Sequence, residues 1–197
     1  DIHVRAGVVN SVGVARVPQL DPDEPFHPII GGAARVVLAR GDLTLDLSGA
    51  SLSFADGTPS GGVRAQLMEG RRIGYGSRPS TPAEWGFALQ PAGIRVSGQV
   101  GVNVRLPAFE GSYDYLASVP EYGVLLGLDP SSLQLVPVGV ARIDRVAHTL
   151  SSQGPVQLQR LDYVAFARVS ADRQDLLTAY VAGDETLLEL IARLEGP

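Results

Sequence analysis

From Tyr122 to Val169 the sequence reads YGVLLGLDPSSLQLVPVGVARIDRVAHTLSSQGPVQLQRLDYVAFARV, short apolar runs broken at regular intervals by turn residues. Runs of this length, bounded by signals such as Asp129-Pro130-Ser131-Ser132, read as strands joined by tight turns. The rest of the chain agrees. Its 23 glycines and 14 prolines fall between apolar runs, and 45% apolar against 19% charged residues marks a globular chain. At 197 residues it is long enough to bury a sizeable core. The expected class is all-β, with antiparallel β-sandwich units and a C-terminal helical segment.

Residues 1–17 alternate loosely and suit one kinked strand or two short ones, before a proline-rich loop, DPDEPFHP, at 21–28. ARVVLA, DLTLDL and ASLSF then read as three strands, with Arg40-Gly41 and Ser48-Gly49 as hairpin-type turns. In DLTLDL the leucines at 43, 45 and 47 share one face, the mark of a half-buried antiparallel strand. Residues 69–86 carry no periodicity and form the longest candidate loop; a second irregular stretch spans 107–120. After Ser170 the period changes to helical, with Leu176, Leu177, Tyr180, Val181, Leu187, Leu188, Ile191 and Leu194 on one stripe. Gly183-Asp184 fits the end of one helix and the N-cap of a second, or else an interruption in a single helix.

Composition excludes several chemistries. All 16 basic residues are Arg, so there is no Schiff-base or phosphate-loop lysine. There is no Cys, hence no disulfide, thiolate nucleophile or cysteine metal site. The net charge is -5, and no basic stripe interleaved with aromatics suggests nucleic acid. His3, His27 and His148 lie far apart and show no paired-ligand spacing; no metal and no cofactor is expected. The acidic group Asp21, Asp23 and Glu24 offers oxygen ligands that calcium favours, but without the glycine and spacing of a calcium loop; a solvated loop is the simpler reading. No run approaches the roughly 20 apolar residues of a membrane span.

Candidate binding residues lie in the two irregular stretches. Arg71, Arg72 and Arg78 present guanidinium forks suited to an acidic partner, or else pair locally with Glu69 or Glu84. Phe109, Tyr113 and Tyr115 form a contact surface or plug one end of a core, and Trp85 is the chain's one tryptophan. Paired carboxylates drawn from Asp114, Glu121, Asp129 and Asp144 would be needed for a carbohydrate-active hydrolase.

The stretch from Gly49 to Val169 resembles the β-sandwich modules of bacterial cell-surface proteins related to the zonula-occludens/netrin-receptor domain family. The resemblance is carried by GASLSFADGTPSGGVRAQLM, VNVRLP, DPSSL, LVPVGVARID and the closing LDYVAF. Some members cleave themselves at a His-Phe-Ser step. The matching positions here read Arg160-Leu161-Asp162, without the hydroxyl nucleophile, which leaves LDYVAF to packing and implies scaffold in place of chemistry.

The expected organisation is a unit at 1–92, a second at 93–170 and the helical segment at 171–197, with strand pairing across the boundary able to merge the two units. The expected role is a non-catalytic structural or adhesive module of a bacterial extracellular protein or surface assembly. It would bind a protein partner or other copies of itself, and the hydrolase is the alternative. The chain begins at Asp1 without Met, as a processed secreted chain or a segment of a larger protein would.

Overall fold

The computed structural model describes residues 22–30, 35–69, 83–106 and 120–196. Within them the strands are β1 (His27–Ile29), β2 (Arg35–Leu38), β3 (Leu43–Ser53), β4 (Gly61–Glu69), β5 (Trp85–Gln90), β6 (Arg95–Arg105), β7 (Tyr122–Asp129), β8 (Gln134–Asp144), β9 (Thr149–Gln153) and β10 (Tyr163–Arg168). Two helices follow, α1 (Gln174–Ala182) and α2 (Leu187–Glu195). Every pairing is antiparallel, in the order β1-β4-β5-β10-β7-β8-β9-β6-β3-β2, and the sheet curls until β1 and β2 approach each other. The all-β expectation holds, but the separate sandwich units give way to one nearly closed barrel. β3 pairs with β6 and β5 with β10, so strands from both sides of residue 92 interleave in a single sheet. Joining strands this way removes the exposed edges that separate sheets would each carry.

The alternation in DLTLDL does what its pattern predicts: Leu43, Leu45 and Leu47 point into the barrel and Asp46 faces out. On β6, Val100, Val102 and Val104 point in, while Gln99, Asn103 and Arg105 face out. Arg40-Gly41 does turn the chain between β2 and β3. Ser48-Gly49 does not. It lies inside β3, where the register against β6 slips between Asp46 and Gly49, so an expected turn is a bulge in one long strand.

The continuous apolar runs of β5, β7, β8 and β10 have a different cause. These strands are buried on both faces. Trp85, Phe87, Leu125, Ala141, Val164 and Phe166 belong to the barrel interior. Val124, Leu126, Leu128, Leu135, Val140, Ala165 and Ala167 face outward into a second core with Leu177, Leu190 and Leu194 of the helices. The helices lie against β7 and β8, and beside them the outer row is small at Ala88, Ala165 and Ala167. Pro137, which has no N–H for a ladder, falls where the β7–β8 register slips.

Gly183 ends α1 with φ +85, the left-handed conformation that glycine adopts without a Cβ penalty. The second helix is capped by Thr186 and not by Asp184. Its hydroxyl accepts from the Glu189 N–H while the Glu189 carboxylate accepts from the Thr186 N–H. Arg173 then donates to the carbonyls of Leu194 (2.6 Å) and Gly196 (3.3 Å), tying the end of α2 back to the start of α1.

The outward core makes the helices part of the fold. Leu190→Ala should cost about 2–5 kcal/mol in urea unfolding. Removing 171–197 should give a chain that aggregates in light scattering; a soluble, monodisperse 1–170 fragment would contradict this packing.

Candidate functional site

Of the residues expected to bind, Arg71, Arg72, Arg78, Tyr113 and Tyr115 lie outside the described residues, as do Asp21, Phe109 and Asp114. Trp85 is described and is 3% exposed. Its indole stacks on Phe166 (centroids 5.3 Å apart) and meets Phe87 edge-on (6.3 Å), so here it fills the barrel interior.

The described acidic candidates are tied into the architecture. Asp129 accepts from the Ser131 N–H (3.0 Å) and from the hydroxyls of Ser131 (2.8 Å) and Ser132 (2.6 Å). The Ser132 hydroxyl foremost, then the Ser131 N–H and hydroxyl, lowers its pKa to about 2. The N–H groups of Ala147 and Val146 similarly hold Asp144 below its ordinary value. Glu121 accepts from Arg142 Nε at 2.8 Å. Glu121, Asp144, Arg142 and Arg145 share a polar depression of about 460 Å³. Glu24, from the acidic loop, is 6% exposed, accepts from the Arg40 N–H (3.3 Å) and faces the Arg40 guanidinium. Among the described residues no group of three or more His, Asp or Glu converges as metal ligands would.

One buried carboxylate went unread in the sequence. β6 runs antiparallel to β9, and the pairing continues through the bridges Val100–Val156 and Arg95–Arg160. β5 then takes over, pairing with β10 from Ala88–Tyr163 to Trp85–Phe166. Residues 85–105 and 149–166 thus form one long ribbon, bent where β5 passes into β6. At that bend sits Asp162, 3% exposed. Its Oδ1 accepts from the Gly93 N–H at 2.5 Å, its Oδ2 lies 2.8 Å from Arg160 Nε, and its carbonyl accepts from the Leu89 N–H at 2.8 Å. Gly93 adopts φ +90, and a Cβ there would stand 3.3 Å from Arg160 Nη2. The expectation that LDYVAF retains packing residues alone is therefore corrected: Asp162 is a polar staple. The available clue was a carboxylate inside an apolar run, which demands a partner, with an arginine two residues before it.

Beside the staple opens a cavity of about 880 Å³ where the β3–β4, β5–β6 and β7–β8 turns meet. Phe54, Val96 and Pro130 supply apolar walls, and Arg95 and Arg160 supply charge. Arg95 is exposed, and among the described residues no carboxylate pairs with it. A separate apolar groove of about 430 Å³ lies between α2 and β8, with Val136, Val138, Leu187, Leu188 and Ile191 among its walls.

No protein-family model, no curated protein and no solved structure matches the chain.

Two measurements check these assignments. Asp162→Ala strands the Arg160 guanidinium and the Gly93 N–H, and should lower the urea midpoint by the equivalent of about 2–4 kcal/mol at unchanged slope. Carboxyl NMR titration should place Asp129 near 2, with Ser132→Ala moving it up towards its ordinary 3.8. Because the folded value is depressed, the turn's contribution is complete above 3.8 and is lost as pH falls through about 2.

Proposed function

We propose that the chain is a non-catalytic structural or adhesive module of a bacterial extracellular protein or surface assembly, and that it associates with other copies of itself or with a protein partner. The observation that carries this reading is the seam of the barrel. Among the described residues β1 and β2 end the hydrogen-bonded order of the sheet. Phe26 (53% exposed) and Ile30 (68%) flank β1, and Val37 (43%) faces outward from within β2. Apolar side chains next to a strand edge invite a strand from another chain, whose backbone supplies hydrogen bonds while these side chains supply contact. The resemblance of 49–169 to cell-surface β modules points the same way.

The hydrolase reading draws on Glu121 and Asp144 in one depression. Glycoside hydrolysis needs one carboxyl kept protonated as general acid. Asp144 is held ionised by two backbone N–H groups, and the Glu121 carboxylate accepts from a guanidinium. Asp144 is therefore not poised as a proton donor, and the module reading is preferred.

Light scattering after size exclusion tests the association. A mass that rises with concentration towards a dimer, and falls back to the monomer in Val37→Glu, is the expected outcome. A monomer at every concentration contradicts self-association.

A further inference from the structure

We propose that the cavity at the ribbon's bend is a binding site for a carboxylate carried on a small apolar body, received by Arg95 and Arg160. The inference goes beyond the module reading and does not depend on it. Arg95 and Arg160 are direct cross-strand partners. The flanking bonds run from Val96 N–H to the Gln159 carbonyl (3.0 Å) and from Leu161 N–H to the Ile94 carbonyl (2.9 Å). The two arginines are therefore a non-hydrogen-bonded pair, the kind in which side chains stand closest. Like charges placed directly opposite repel and destabilise a ladder. Asp162 pairs with Arg160, and among the described residues no carboxylate pairs with Arg95 at the cavity wall.

The carboxylates of the adjoining turns are held within those turns and do not line the cavity. Asp56, in the β3–β4 turn, accepts from the N–H (2.9 Å) and hydroxyl (2.7 Å) of Thr58, and Asp129 is held by Ser131 and Ser132. A single guanidinium that pairs with no carboxylate among the described residues suits a singly charged carboxylate better than a doubly charged phosphate. Phe54, Val96 and Pro130 give the ligand's body an apolar wall, and the volume lies within the range of small-ligand sites. Guanidinium forks match the planar carboxylate geometrically.

The test uses the full chain, labelled with ¹⁵N and titrated at constant ionic strength. The probes are benzoate, a peptide carrying a single glutamate, neutral benzamide and inorganic phosphate. The amides of Gly57, Arg95, Val96 and Arg160 should shift saturably with benzoate or with the peptide, and not with benzamide or phosphate. Binding to benzoate alone identifies a small acid as the ligand class; binding to the peptide identifies an acidic side chain of a partner. Arg95→Ala should weaken the response about tenfold or more, the loss expected for a charged hydrogen bond. Arg95→Gln provides the same comparison if the alanine variant unfolds. Silence towards both carboxylates, an equal response to benzamide or phosphate, or unchanged affinity in the Arg95 variants would overturn the assignment.

Discussion

A single buried carboxylate holds the bend on which this barrel depends. A flat ribbon formed by residues 85–105 and 149–166 could not close a ten-stranded sheet, because closure requires strands to turn from one wall to the next. Both chains turn at the same place, and there Asp162 binds the Gly93 N–H and pairs with Arg160. A charge this deep is tolerated only when it is compensated, and here one oxygen accepts from a backbone donor and the other is ion-paired with a guanidinium. The same bond fixes the turn between β5 and β6, which no ladder pairing of these two strands would hold. Specificity of the bend and the cost of burying the charge are thus two sides of one contact.

The second constraint is two-sided burial. A sheet that covers its own core needs apolar residues on one face only, yet β7 and β10 are buried at every position except strand ends. The helices supply the reason, because Leu177, Leu190 and Leu194 cover the outer face of these strands. This is why the stretch from Tyr122 to Val169 reads as runs and the stretch from Leu43 to Leu47 reads as alternation. The period of the pattern reports how many faces are covered.

Those local signals made much of the fold legible: the antiparallel strands, the Arg40-Gly41 turn and the helical tail all follow from neighbours in sequence. What escaped was set by distant partners. Ser48-Gly49 carries a turn's residues, but the ladder with β6 holds the chain straight and turns them into a bulge. Asp184 precedes a helix, but Thr186 with Glu189 three residues on forms the better reciprocal cap. Pairing of β3 with β6 and of β5 with β10 carries one sheet across residue 92, the merging that strand pairing across that boundary allowed. The candidate site was less legible still. Trp85 has the chemistry of a binding residue, yet an inward position on β5 places it against Phe166. Arg95 and Arg160 are 65 positions apart, and only the register of an irregular ribbon sets them face to face. No spacing rule within a window of sequence reaches that far.

Hydrogen exchange at the Gly93 amide tests the role of the staple most directly. If Asp162 fixes the bend, that amide exchanges only through global unfolding, as slowly as Val164 in the centre of β10. In Asp162→Asn it should exchange sooner than Leu125 and Val140 of the helix-covered wall. A Gly93 amide that exchanges in the native protein as freely as an exposed turn would contradict the account.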